Sequence, residues 1–383
     1  MNLSLPASDS PDTVFSDRVF SDTEFPVTII INNYNYGRFL RSAIESALAQ
    51  TYAGTEVIVV DDGSSDESRT IIASYGERII PVLKQNGGQA SALNAGFARS
   101  HGSIVIFLDA DDMLDPHVVE RVVEHFWANP KVVRVQYRLN VIDRAGLPTG
   151  LSKPPRHMPI PSGDLRQRAF LYGDDIPWLP TSGNAFSAPM LQRIFPIPEP
   201  AYRICADYYL SNLSPLFGMV VSLDETGGYY RVHGSNNHEK ERLDLQQTRE
   251  LIIRTRQTHR YIQANAQQLG LASHSDHSVA ALSLTFLANR LISLRLDPAH
   301  HPIEGDTHFA LARRGILASL QRTDLPLLLR LMYISWFLLV SVVPRESARW
   351  LAEQFFYPES RGQWFNALLT NLRRVRPLHK LQY

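Results

Sequence analysis

The stretch IVIFLDADDMLDP, Ile104 to Pro116, places three carboxylates, Asp109, Asp111 and Asp112, within four residues at the end of an apolar run. Like charges at this spacing repel, and an anion buried without a partner is costly. A single Asp would suffice to cap a following helix. Three together call for a compensating positive charge. Mg2+ or Mn2+ supplies it naturally, since hard cations take oxygen ligands and often bridge one or two carboxylates to substrate phosphates. Other groups with chemical potential are Asp61 and Asp62 in EVIVVDDGSSD, Asp174 and Asp175 in YGDDIPW, Asp207 in YRICADYYL, and Arg231 and His233 in YYRVHGSNNH. Each has a plainer reading: an Asx-rich turn for Asp61 and Asp62, a helix cap or an Arg203 partner for Asp207, a packed ring for His233. Gly87 and Gly88 in KQNGGQASALNAG let a backbone approach a ligand closely. Their spacing is neither a dinucleotide fingerprint nor a P-loop. Cys205 has no activating neighbour in the sequence and reads as packing.

The elements that must carry these groups are legible from hydrophobic pattern. VTIIIN, EVIVV, IIPVL and SIVIFL are short apolar runs of the kind expected for strands covered on both faces. Between and after them lie segments with helical spacing, such as GRFLRSAIESALAQ and PHVVERVVEHFWAN. Strand and helix therefore alternate, which predicts an α/β domain with a mostly parallel sheet flanked by helices. Such sheets bind ligands beyond the carboxyl ends of their strands. Asn32 to Asn35, Asp61 to Ser65 and Asp109 to Asp112 should then face one crevice. Further on, VVRVQYRLNVID reads as an edge strand or ribbon, and MVVSLDETGGYYRVH as two strands around a turn at Gly227 and Gly228. After about His238 the texture is helical, which predicts a separate C-terminal helical extension.

Composition narrows the class. The chain has 383 residues, 44% hydrophobic and 20% charged, with a formal net charge of zero. That is long enough for more than one core, and it argues against a broad nucleic-acid surface. One cysteine excludes an internal disulfide framework and a Cys-rich zinc site. Residues 1–25 are acidic and rich in Ser, Asp and Pro, without the apolar core of a secretory signal, and predict a mobile lead-in to a cytoplasmic protein. LPLLLRLMYISWFLLVSVVP, Leu325 to Pro344, is short of the roughly 20 apolar residues of a spanning helix. It leaves open a buried core helix or helix–helix contact, a pairing of two copies, a peripheral contact at the cytoplasmic face of a membrane, or a span reached only by counting Pro326 and Arg330.

Three stretches in order, VTIIINNYNYGRFLRSAIESALAQTYAGTEVIVVDDGSSDES, QNGGQASALNAG and IVIFLDADDMLDP, resemble the family 2 glycosyltransferases of the GT-A fold. The resemblance runs from about Pro26 to Asn237. It implies a lead at 1–25, a GT-A domain at 26–238 and a helical region at 239–383. It implies an inverting transfer of a sugar from a nucleoside-diphosphate sugar, UDP-linked by preference, to a hydroxyl on a glycan, a lipid-linked or another acceptor. The implied donor contacts are Asn32, Tyr34 stacking on the base, Asp62 accepting the uracil N–H, Gly88, Ser91 and Asn94 near the ribose, Asp109, Asn184 beneath the sugar, and Arg231 at the diphosphate. Asp109, Asp111 and His233 are the implied ligands of Mn2+ or Mg2+, with Asp112 binding metal or orienting a water. Asp207 is the implied general base, with Asp174 and Asp175 as fallbacks. The family's Glu-Asp pair is here Ala206-Asp207, a departure. Gly234 to Asn237 would belong to a loop closing over the donor. A non-catalytic nucleotide-sugar-binding module and a nucleotidyltransferase are the competing readings.

Overall fold

The computed structural model describes residues 25–177, 179–234, 243–271 and 281–356. The N-terminal lead, most of the Gly234 to Asn237 loop and the basic tail lie outside the described residues. The runs read as strands form β1 (Val27–Asn33), β2 (Thr55–Asp61), β3 (Ile80–Leu83) and β4 (Ile104–Asp109). They alternate with α1 (Gly37–Leu48), α2 (Ser68–Ala73) and α3 (Gln89–Phe97), and a two-residue strand β5 (Met113–Leu114) leads into α4 (Val118–Ala128). β1 pairs in parallel with β2 and β4, and β2 with β3. Successive side chains point to opposite faces, as the strand period of two requires. Ile29, Ile31, Val57, Val59, Ile106 and Leu108 enter the apolar layer shared with α1 and α4. Ile30, Ile58, Val60, Val105 and Phe107 enter the layer on the other face.

The second half of the sheet is woven from distant segments: β6 (Val132–Ile142), β7 (Pro148–Lys153), β8 (Gly163–Asp164), β9 (Asn184–Ser187) and β10 (Met219–Arg231), with helices α5 (Arg166–Tyr172), α6 (Ala188–Ile194) and α7 (Ala206–Leu213). The strand order is β3-β2-β1-β4-β9-β6-β10-β5, with β7 beside β6 and β8 beside β10. This is a mixed α/β fold whose first four strands are parallel, as expected, while the second half of the sheet is mixed: β9 runs antiparallel to β4 and β6, and β5, β7 and β8 are antiparallel to their partners. Two local expectations fail. β6 is internal, flanked by β9 and β10, and most of its residues are buried. β10 is one continuous strand whose register slips between Ser222 and Thr226 and again before Gly228. Its glycine pair marks close packing within the strand. A Cβ on Gly227 would come within 2.3 Å of the Tyr137 ring, and one on Gly228 within 2.5 Å of the Met113 carbonyl oxygen.

The C-terminal region is helical: α8 (Leu245–Gln268), α9 (Leu284–Leu296), α10 (His308–Gln321), α11 (Leu327–Val342) and α12 (Arg345–Phe356). α8 packs onto the sheet domain, placing Ile262 and Ala266 in the same apolar layer as Tyr202 and Leu210. Its Thr258 and Thr255 hydroxyls bond the Tyr202 and Tyr208 hydroxyls at 2.6 and 2.9 Å. α9 to α12 share a second core around Leu291, Phe337 and Val340. Asp175 ties this core to the sheet domain. Its carboxylate accepts the Leu284 and Thr285 N–H groups at the start of α9, at 2.7 and 2.9 Å, and also bonds Arg322. That engagement removes Asp175 as a fallback base.

Candidate active site

Strand register builds the crevice floor. Asn32 pairs across the sheet with Asp109, and Asn33 with Asp61, so the carboxyl ends of β1, β2 and β4 stand level. The Asn32 Nδ2 donates to Asp109 Oδ1 at 3.0 Å. Tyr34, just beyond β1, is 48% exposed, and Asn35 takes a positive φ of 58° to turn the chain. Asp61 is fully buried and structural. It accepts from Asn33 Nδ2 at 3.1 Å, the Ser64 N–H at 3.1 Å and Arg69 Nε at 2.8 Å. Burial alone would raise its pKa, but these bonds outweigh it and hold the carboxyl below its usual range.

Asp62 is engaged even more fully. Lys84 Nζ at 2.6 Å and the Gly87 N–H at 2.9 Å share Oδ1, while Asn86 Nδ2 at 3.0 Å and the Gly88 N–H at 2.7 Å share Oδ2. Four donors fill a carboxylate's acceptor capacity. A nucleobase N–H reaches it only by displacing one of them. Gly88, with φ of 89°, has its close approach to Arg203, whose carbonyl oxygen would lie 2.5 Å from an added Cβ. Its lack of a side chain is thus used against the protein's own chain.

The three crowded carboxylates are held in three different ways. Asp112 is 1% exposed; the Arg231 N–H reaches its Oδ1 at 3.0 Å and the Ser182 hydroxyl its Oδ2 at 2.6 Å. Each oxygen thus takes one donor from the protein, which ties Asp112 to β10 and to Ser182. Asp111 Oδ2 lies 2.9 Å from His233 Nε2, whose ring packs between Tyr36 and Phe39. Asp109 Oδ1 accepts from Asn32 and, at 3.2 Å, from Gln89 Nε2. Burial, reinforced by the Asp111 charge, pushes the Asp109 carboxyl up to about 7, and burial with both neighbouring charges pushes Asp112 well above the carboxylate range. The same two effects push the Tyr36 hydroxyl up to about 12. Without a cation, the cluster is relieved by neutral donors and by protons.

Asp111 and His233 share a hydrogen bond, and the same pair could hold a divalent ion in place of the shared proton. Metal–oxygen bonds of about 2.1 Å in an octahedral site set neighbouring ligands about 3 Å apart, close to the observed 2.9 Å. Among the described residues no three His, Cys, Asp or Glu side chains are grouped as a metal site, and the expected ligands that touch are Asp111 and His233. Two protein ligands with open positions match ions that keep waters and take substrate phosphates.

Asp207 sits half-buried in the first turn of α7, entered through Cys205 at a positive φ of 65°. Its charge is felt at Asp109 and at Arg134, so the three belong to one neighbourhood. Arg134 is fully buried; its Nε donates to Asn184 Oδ1 at 2.9 Å and its Nη1 to the Ser211 carbonyl at 3.2 Å, one turn beyond Asp207. Burial lowers its pKa to about 9. The Cys205 thiol is pushed up to about 11 by burial and by Asp207, which leaves it inert.

Several expected donor contacts are turned elsewhere. Asn94 makes a two-way bond with the Ile197 backbone, at 2.9 and 2.8 Å. Asn184 is buried between Arg134 and the Pro180 carbonyl, which its Nδ2 reaches at 2.7 Å. Ser91 is buried beneath Gly87. Arg231 is 4% exposed, with Nε on the Asp111 carbonyl at 2.9 Å, so it braces the acid turn and is withdrawn from a diphosphate. Amide and guanidinium groups serve many partners, and only the fold says which backbone carbonyl arrives.

Gln89, Thr181 and Ser182 were not legible as site residues. Gln89 is a bridge: its Nε2 meets Asp109 Oδ1 at 3.2 Å and Thr181 Oγ1 at 3.3 Å, while its Oε1 accepts the Ala206 N–H at 2.9 Å. One side chain thus registers the start of α7 against the acid cluster. Gln89→Ala is expected to lower kcat by roughly tenfold, the scale of losing one or two hydrogen bonds, with a smaller change in the donor KM. Steady-state kinetics check it, and an unchanged kcat counts against the bridge.

The Glycosyl transferase family 2 description matches residues 28–184. An uncharacterized glycosyltransferase of Nostoc sp. is 40% identical over 216 residues, 55% of this chain and 66% of that protein. An uncharacterized glycosyltransferase of Rickettsia prowazekii is 47% identical over 97 residues, 25% of this chain and 30% of that protein. The chain therefore spans just under two thirds of the first of these relatives and less than a third of the second. Among solved structures, S. aureus TarS in complex with UDP-GlcNAc is 14% identical, covering 87% of this chain and 89% of that one, with a TM-score of 0.49. A likeness at that level carries no weight for substrate or mechanism.

Proposed function

Since the chain belongs to the family 2 glycosyl transferases, we propose that it moves a sugar from a nucleoside-diphosphate donor, uridine-linked by preference, to a hydroxyl acceptor with inversion. The observation that carries this reading is the meeting of Asp111 and His233 at 2.9 Å beside the Asp109 carboxylate. Asp111 and His233 would hold a Mg2+ or Mn2+, which when bound neutralises charge on the departing diphosphate. Asp207 takes the proton from the acceptor hydroxyl. The acceptor oxygen then bonds the anomeric carbon from the face opposite the nucleotide, and the nucleoside diphosphate leaves with the electron pair of the broken C–O bond. Tyr34 offers an exposed ring for the base, and Asn32 and Gln89 hold Asp109 oriented toward the ribose and metal shell. Asp62 serves the base N–H once one of its present donors gives way.

A thermal-shift panel of nucleotide sugars with and without Mn2+ tests the donor half. A ligand that binds only the folded state at about a hundred times its Kd adds roughly 2.7 kcal/mol of stability, seen as a rise of several degrees. The rise should need both nucleotide and metal. No shift with any nucleotide removes the reading. A shift without any acceptor product by mass spectrometry leaves a binding module instead, and pyrophosphate release from a nucleoside triphosphate would mark a nucleotidyltransferase.

A further inference from the structure

α11 has 16 residues, about 24 Å of helix, and among the described residues no helix is long and apolar enough to cross a membrane. Yet α11 is apolar on two opposite faces, with Arg330 between them bonded to the Ser319 and Leu320 carbonyls of α10. Leu329, Trp336, Phe337 and Val340 are buried in the helical core. Leu327, Leu331, Leu338 and Val342, spaced by four, seven and four, line the opposite face, and Leu328 and Leu339 widen it to an arc of about 120°. All six are exposed, Leu327 at 66% and Val342 at 77%, and Ser335 is the one polar residue within the arc. Phe309, Leu317 and Leu320 on α10 and Trp350 on α12 are exposed as well. A contiguous apolar face of this size on a soluble surface marks an interaction site.

Charge identifies the occupant. Residues 308–383 contain eleven Arg and Lys against four Asp and Glu, a surplus of seven in a chain whose total is zero. Arg313 and Arg314 stand exposed on α10 beside Leu317, and no acid lies on α11. The 27 residues that follow α12 continue the surplus, with Arg361, Arg373, Arg374, Arg376 and Lys380 against Glu359. A leucine face on a helix, within a stretch of sequence that carries a surplus of seven positive charges, suits a helix lying in the plane of an anionic lipid surface, where apolar burial and attraction to headgroups add. We infer that the exposed face of α11 docks the protein onto an anionic membrane surface, with α11 in the interface plane.

The test is co-sedimentation of the full chain with vesicles of phosphatidylcholine alone and of phosphatidylcholine mixed with phosphatidylglycerol, for wild type and for L331E/L338E. Both positions are exposed, so the variant should keep the wild-type circular dichroism and melting temperature. A second variant, L331Q/L338Q, removes apolar area without adding charge. Wild type should bind the phosphatidylglycerol vesicles, weakening as salt rises, with the first variant binding roughly tenfold or more weakly and the second in between. Sedimentation without vesicles should find a monomer. The inference is overturned by wild type that ignores both vesicle types, by variants that bind as wild type does, or by a wild-type dimer that the variants split, which would make the face a contact between copies. None of these outcomes bears on the donor thermal shift, so sugar transfer and membrane docking stand or fall separately.

Discussion

Asp207→Asn is expected to lower kcat by about 10²–10⁴-fold, the range for loss of a general base, while the donor-dependent thermal shift stays as in wild type. The substitution is nearly isosteric and keeps a hydrogen-bonding group in the first turn of α7, within electrostatic reach of Arg134. Donor binding is assigned to the strand ends and the Asp111 and His233 pair, so it should be untouched. Acceptor-dependent product formation measured beside the thermal shift separates the two. If product formation survives, the base is another group. Asp175, bonded to the start of α9 and to Arg322, is not available for that role.

Asp109→Asn is expected to move activity and stability in opposite directions. Burial and the neighbouring Asp111 raise the Asp109 carboxyl from an ordinary 3.8 to about 7 in the folded protein. Between those values the folded state keeps a proton that the unfolded chain has released. The stabilising contribution is therefore full below about pH 4, falls as the pH rises toward 7, and is gone above it. Asp112 pulls in the same direction. The ligand-free wild type should melt lower at pH 8 than at pH 5 on account of these groups. Asp109→Asn removes part of that loss, raising the melting temperature at pH 8 by about one to three degrees, the scale of roughly 1 to 2 kcal/mol for a protein of this size, and by less at pH 5. Sugar transfer should collapse in the same variant. Differential scanning calorimetry at the two pH values checks it, and a lower melting temperature for the variant at pH 8 would sink the account. On the proposed reading, this instability is the counterpart of a cluster charged enough to grip a cation.

The first four strands and their helices were legible because strands buried on both faces are unbroken apolar runs, and their helices show a clean 3.6-residue period. The level alignment of Asn32, Asp61 and Asp109 followed from that alternation alone. β6 and β10 were not legible. Their pairing partners lie nearly ninety residues apart, and local alternation cannot say which strand arrives on the open side. The glycine pair in β10 looked like a turn because glycine usually makes one. Here it admits the Tyr137 ring, a contact invisible without the fold. Within the candidate site, the charged types could be placed together because the carboxyl ends of the strands converge, and the structure does bring Asp109, Asp111, Asp112 and His233 into one cluster. Asn94 and Asn184 misled because an amide's partner is chosen by tertiary placement. Gln89 escaped notice because nothing in its local sequence distinguishes a bridging glutamine from a solvated one.

The start of α3 is fastened to the segment before α7 by two backbone bonds, Gln89 N–H to Arg203 O at 2.8 Å and Ala90 N–H to Tyr202 O at 3.3 Å, with Gly88 pressed against Arg203. These partners are more than a hundred residues apart in the chain. On a ribosome adding about 5–20 residues per second, several seconds or more separate emergence of the first from emergence of the second. The early strands and helices, rich in neighbouring contacts, have time to settle in that interval. Nascent chains arrested before Asp207 should accordingly be protease-resistant in their first half yet unable to turn over a donor, with competence arriving only when the later segment swings in and closes the clasp.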